Sequence, residues 1–167
     1  TGTSPFTVLV MSSGIPIHAH ALPIKEDTIQ ILRTWKNSAG EIINTGTPII
    51  AGDLITVDIE VRSSSNFVYN NVAIVDVLPG RMEFELPALA TSAKQDKTSM
   101  INVDQVEFRD DRLLVFASLD SNSRKVRYLM RAIVPGTWAV PAPDALSMYN
   151  PDAHGRGASG IVKIELE

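Results

Sequence analysis

Between Leu54 and Arg62 the chain alternates without a slip: Ile55, Val57, Ile59 and Val61 fall on one side, Leu54, Thr56, Asp58, Glu60 and Arg62 on the other. A period of two carried by β-branched residues is the pattern of a half-buried strand, because successive strand side chains point to opposite faces. The side holding the isoleucines and valines is the core side. In a second such stretch, Thr28 to Trp35, one side carries Ile29, Ile31, Arg33 and Trp35. Lys36-Asn37-Ser38-Ala39-Gly40-Glu41 then supplies turn chemistry, and a strand from Ile42 to Ile50 would complete a hairpin. Further strands are predicted over Phe6–Met11, Val68–Leu78, Met82–Leu86, Val103–Arg109, Leu113–Leu119, Arg124–Val134, Thr137–Val140 and Ser159–Glu167. Gly, Pro, Asn and Asp punctuate nearly every junction. Many short strands with turn signals at this spacing predict an all-β fold, an antiparallel β-sandwich with at most one short helix, since sheet-on-sheet packing buries every apolar face.

Two segments break the rhythm. Ala88 to Asn102 is polar without a strand period, which reads as a loop or one short helix. Ala142 to Gly160 reads as a connection rich in Pro and Gly, yet it carries Leu146, Met148 and Tyr149, an odd set for a merely solvated loop. A length of 167 residues suits one domain with one core. The expected division is residues 1–23, with Pro5, Pro16 and Pro23, as a linker and edge strand, leading into a sandwich over residues 24–167.

Composition narrows the partners. With 15 basic and 19 acidic residues the net charge is −4, opposite in sign to the field that attracts nucleic acid. No apolar run approaches the roughly 18 residues that cross a bilayer, so membrane insertion by these residues is not expected. Thr1-Gly2-Thr3-Ser4-Pro5 lacks the basic and apolar regions of a signal peptide, so any targeting segment is expected to have been removed or to lie upstream. The chain has no cysteine, so it offers neither a thiol nucleophile nor a thiolate metal site.

The remaining chemistry is sparse. His18 and His20 lie on one side of an extended segment, a spacing that suits zinc or copper, but only His154 could add a third imidazole and it is remote in sequence, so no metal site is expected. Glu83 with Glu85, and Asp110 with Asp111, offer paired carboxylates, but nothing gathers two of them in a cleft; Arg109-Asp110-Asp111-Arg112 reads better as a turn. There is no Gly-x-Ser-x-Gly elbow, and Gly155-Arg156-Gly157-Ala158-Ser159-Gly160 has neither phosphate-loop nor dinucleotide spacing, so neither catalysis nor a cofactor is expected. Arg124, Lys125, Arg127 and Arg131 form the densest positive group, open to two readings: a docking patch for an acidic partner, or a solvated strand face.

Four stretches carry a family resemblance: Ala51-Gly52-Asp53-Leu54-Ile55-Thr56-Val57; Val75-Asp76-Val77-Leu78-Pro79-Gly80 with Met82-Glu83-Phe84-Glu85; Phe108 to Arg112 with Phe116; and Tyr128 to Pro143 running on to Met148-Tyr149-Asn150-Pro151-Asp152. Together they resemble the C-terminal macroglobulin-like domain of bacterial alpha-2-macroglobulins, the large protease traps of the cell envelope. The first two stretches also resemble Ig-like modules of bacterial surface proteins, which keeps a structural or adhesive module as the alternative. The resemblance implies a non-enzymatic, periplasmic domain of a protease inhibitor, its parent possessing or lacking a lipid anchor. The implied partners are the thioester domain and other neighbouring domains of the same chain, with target proteases met through the whole protein. It further implies that Met148 and Tyr149 shield the thioester, a cysteine–glutamine bond that must be kept dry and that this cysteine-free chain cannot itself hold. Asn150, where the family more often has a basic residue, and the short Leu78–Arg81 turn depart from the pattern.

Overall fold

The computed structural model describes residues 9–11, 23–26, 28–44, 46–85 and 103–167. Twelve strands follow in chain order: β1 (Ile29–Lys36), β2 (Ile49–Ile50), β3 (Leu54–Ser63), β4 (Tyr69–Val77), β5 (Met82–Phe84), β6 (Gln105–Phe108), β7 (Arg112–Leu119), β8 (Arg124–Ala132), β9 (Gly136–Val140), β10 (Asp144–Ser147), β11 (His154–Arg156) and β12 (Gly160–Glu165). No helix occurs among the described residues. The strands build a four-stranded sheet in the order β1-β3-β8-β5, a five-stranded sheet in the order β11-β10-β4-β7-β6 and a small third sheet, β2-β12-β9. Every pairing in the two larger sheets is antiparallel; in the small one β2 runs parallel to β12.

The alternation read from the sequence decides which face turns inward. Ile55, Val57, Ile59 and Val61 of β3 meet Val72 and Ile74 of β4 and Leu113, Val115, Ala117 and Leu119 of β7 in one core, joined by Val126, Tyr128 and Met130 of β8. Val140, Val162, Ile164 and Ile49 bring the small sheet into that core. Burial of this apolar area is the main stabilising term, at roughly 25 cal/mol per Å² removed from water.

Three sequence expectations are corrected. The strand predicted from Ile42 to Ile50 is reduced to a single bridge between Lys36 and Ile42 and the two residues of β2. The Asn37–Gly40 turn forms, and the Ile43 N–H donates to the Trp35 carbonyl at 2.9 Å. The hairpin stops there because Gly46 adopts φ +90° and Pro48 has no N–H for a ladder, so the chain leaves the large sheet and joins β12. The stretch from Ala142 to Gly160, read as a connection, instead contains β10 and β11, which extend the five-stranded sheet beside β4. Leu9, Val10 and Met11, the described part of the Phe6–Met11 stretch, form no strand. The rest of that stretch, His18, His20 and the whole of Ala88–Asn102 lie outside the described residues.

Where the chain enters the domain it is tied to β11. Lys25 N–H donates to the Arg156 carbonyl at 3.0 Å and Arg156 N–H to the Lys25 carbonyl at 2.7 Å.

Candidate functional site

Met148 and Tyr149 follow β10 directly and occupy the turn that leads into β11, with 56% and 80% of their surfaces exposed. The turn is well anchored. Ser147 N–H donates to the Ala153 carbonyl at 2.9 Å, Ala153 N–H to the Asn150 carbonyl at 2.9 Å, and Met148 N–H to the Asn71 carbonyl of β4 at 3.0 Å. Asn150, the departure noted in the sequence, receives the Asp152 N–H on its side-chain oxygen at 3.3 Å, a local turn-closing bond suited to this residue type. On the other flank, Thr28 Oγ1 accepts from the His154 N–H at 2.9 Å and donates to the His154 carbonyl at 3.0 Å. The two large side chains are thus exposed on backbone held at both ends.

The same end of the five-stranded sheet carries a second apolar tip that sequence reasoning missed. Phe67 is 67% exposed just before β4, its ring 5.6 Å from that of Tyr69, and Val68 beside it is exposed as well. The signal was present as an aromatic–valine pair after the polar run Ser63–Asn66. Asn71, with φ +55°, sits in an irregularity between Tyr69 and Val72, and its carbonyl is the one that holds Met148. Behind the tips, one outward-facing row of the sheet runs from His154 through Leu146 and Ala73 to Phe116. The next outward row places Val75 beside Leu114.

The opposite outer face, on the four-stranded sheet, is charged and internally compensated. Arg127 clamps Asp58 with two nitrogens, at 2.5 and 2.9 Å, and Lys36 reaches the same carboxylate at 2.8 Å. Lys125 pairs with Glu60 at 3.2 Å and Arg131 with Glu85 at 3.0 Å, whereas Arg124, opposite the inward-facing Val61, lies on the other side of β8 and pairs with Asp120 at 3.2 Å. Lys125, Arg127 and Arg131 therefore form a solvated strand face with their acids beside them, not an uncompensated patch, and Arg124 is not part of that face. The Arg127 guanidinium, with Lys36, holds the Asp58 carboxyl below its ordinary value. Arg109 to Arg112 forms the β6–β7 turn: Arg109 N–H donates to the Arg112 carbonyl at 2.9 Å, and Arg112 binds Asp111 at 2.6 Å. Among the described residues no three metal-ligating side chains gather, and His154 stands in β11 without other histidines.

One polar cluster lies inside the core. Asp76 is wholly buried and accepts from Arg33 Nη1 at 2.6 Å and from the Tyr128 hydroxyl at 2.8 Å. Arg33 also donates to the Pro141 and Ala158 carbonyls at 2.8 and 3.2 Å, so one side chain of β1 joins β4 of the facing sheet to the segments that follow β9 and precede β12. Burial pushes the Asp76 carboxyl up while Arg33 and Tyr128 pull against it, and burial pushes the Tyr128 phenol well above its ordinary value. A cation, a carboxylate and a hydroxyl that satisfy one another, closed to solvent, form a structural tie with no access for a substrate.

Two facing antiparallel sheets with a small closing sheet define a macroglobulin-like β-sandwich domain. Residues 29–152 match the model of the bacterial alpha-2-macroglobulin MG10 domain, and the chain belongs to that family. It is 30% identical over 117 residues to an alpha-2-macroglobulin of Rickettsia conorii, covering 68% of this chain and 6% of that protein. It is 28% identical over 172 residues to that of Escherichia coli K12, covering 95% of this chain and 10% of that protein. The chain thus spans about a tenth or less of these relatives' length. Among solved structures, native E. coli alpha-2-macroglobulin from domain MG7 to the C-terminus superposes with a TM-score of 0.77 at 28% identity, over 91% of this chain and 25% of that one. Salmonella alpha-2-macroglobulin reacted with methylamine gives 0.72 at 26% identity, over 86% and 10%.

Proposed function

We propose that this chain is a non-enzymatic domain of a periplasmic alpha-2-macroglobulin-type protease inhibitor, which packs on the thioester domain of its full-length parent and covers the thioester with Met148 and Tyr149. The observation that carries the reading is the 80% exposed Tyr149 beside Met148 on a turn fastened to β4 and β11. A thioester survives only where water is excluded, so its cover must be apolar and held in position. Met is a deformable filler and Tyr a broad apolar surface with one polar end, both suited to closing an irregular opening. The anchored backbone reduces the entropy lost when the tip docks. Target proteases are met by the parent, not by this domain alone.

The test is the rate at which methylamine inactivates the resting full-length protein. Tyr149→Ala is expected to raise that rate at least tenfold and to leave the melting temperature of the 167-residue chain within about 2 °C, because an exposed turn residue adds little to the core. An unchanged amine rate, or a parent without a thioester to modify, removes the shielding role.

A further inference from the structure

The turn that carries Met148 and Tyr149 stands on β11, and β11 is the edge strand of its sheet. Backbone groups in a strand point alternately to its two edges. The Ala153 carbonyl accepts from the Ser147 N–H, and the Gly157 N–H donates to the Pro143 carbonyl, each at 2.9 Å, so these residues face β10. His154 and Arg156 therefore face outward. Arg156 is met by the backbone of Lys25, in both directions. His154 is met instead by a side chain: the single oxygen Thr28 Oγ1 accepts from its N–H at 2.9 Å and donates to its carbonyl at 3.0 Å. The Asp152 carbonyl lies 3.5 Å from the same oxygen, and because a hydroxyl has one proton the shorter contact takes it.

The hydroxyl is itself held in place. The Thr28 carbonyl accepts from the Ser64 N–H at 3.0 Å, and the next residue, Ile29, opens β1 fully buried. A β-branched side chain on backbone fixed in this way has few rotamers, so its oxygen is already aimed at β11. On the incoming side the tip hangs from the Asn71 carbonyl through Met148; on the outgoing side Thr28 supplies the matching hold at His154. Valine at position 28 would keep the shape of threonine and leave both His154 groups to water, whereas serine would keep the oxygen.

We propose that Thr28 is a positioning residue: its hydroxyl closes the outer edge of β11 at His154 and thereby fixes the Met148–Tyr149 tip in the orientation in which it covers the thioester. The closure stands on the geometry alone, and its consequence for the cover rests on the shielding role proposed above.

Amide exchange resolved to single residues and inactivation by methylamine, both on the resting full-length protein, test it in Thr28→Val and Thr28→Ser. Thr28→Val is expected to speed exchange about tenfold at His154 and about threefold at Ala153, whose N–H lies within the turn, and to leave Val115 of β7 unchanged. It is also expected to speed amine inactivation about threefold, and Thr28→Ser to restore both readouts. An unchanged His154, an equal acceleration at Val115, or a serine variant that behaves like the valine one overturns the closure. A loosened His154 with an unchanged amine rate overturns the positioning role if Tyr149→Ala speeds the amine reaction. If Tyr149→Ala leaves that rate unchanged as well, the shielding reading falls, and the exchange at His154 alone decides for or against the closure.

Discussion

At the scale of single residues, the buried Asp76 and the half-exposed Asp58 show how much surroundings change the value of a charge. Asp76→Ala would leave the Arg33 guanidinium buried without its carboxylate, and the expected loss is about 3–5 kcal/mol of unfolding free energy in urea. The double change Asp76→Leu with Arg33→Met should cost clearly less than the two single changes added together, because it removes both charges at once; additive losses would mean that the pair is not coupled. Arg33 was visible in the sequence as an intruder on the apolar side of its strand, but its partners Asp76 and Tyr128 were not. A carboxylate facing inward 43 residues away leaves no local pattern. Asp58 gives a pH dependence. Its folded value lies below the ordinary 3.8 mainly through Arg127, so it stabilises the fold above that pH and loses this contribution as the pH falls through the folded value. The melting-temperature gap between the wild type and Asp58→Asn should therefore be widest near neutral pH and close as the pH falls through the lowered folded value; a gap that stays constant would remove the ion pair as its cause.

Whole elements obey the same physics with different legibility. Strands such as β3, β7 and β8 announced themselves because one face is packed with Val, Ile and Leu while the other is polar or mixed. β10 and β11 did not, because Asp144-Ala145-Leu146-Ser147 and His154-Gly155-Arg156 contain no β-branched residue, and their place in the sheet is dictated by tertiary contact. Gly155 shows the reason. A Cβ there would sit 2.1 Å from the Ile29 carbonyl oxygen, so β11 can lie against β1 only if residue 155 has no side chain. Gly155→Ala is expected to cost about 3 kcal/mol, at the top of the usual range for overpacking. In amide exchange, the change should loosen β11 and the turn carrying Tyr149 before the core strands. A loss under 1 kcal/mol would mean that the two strands can separate cheaply. The turn itself was picked out as unusual from Met148, Tyr149 and its flanking prolines, but its anchoring by Asn71 and Thr28 could not be read from residues so far away in the chain.

For the molecule as a whole, the two outer faces differ in kind. The four-stranded sheet shows water a set of paired charges, and the five-stranded sheet shows Leu146, Phe116 and the Phe67 and Tyr149 tips. Lys125→Ala on the first face should shift stability by no more than about 0.5 kcal/mol, since exposed pairs such as Lys125–Glu60 contribute little; a loss above 1 kcal/mol in urea would give that pair a structural role. The sandwich and its family were legible because alternation and turn residues repeat along the whole chain. The division into three sheets was not, since it depends on where the Ile42–Ile50 stretch leaves one sheet for another.

The clamp between Lys25 and Arg156 adds a mechanical property. Tension on the chain ahead of Lys25 loads two hydrogen bonds, of 3.0 and 2.7 Å, before it reaches β1. Because Arg156 closes the short strand that follows the Met148–Tyr149 turn, the same force arrives at the base of the exposed tip. Pulling on the entry segment therefore tugs at the tip's own footing, and the stiffness of that short lever, rather than the strength of the core, sets how far the tip moves under load.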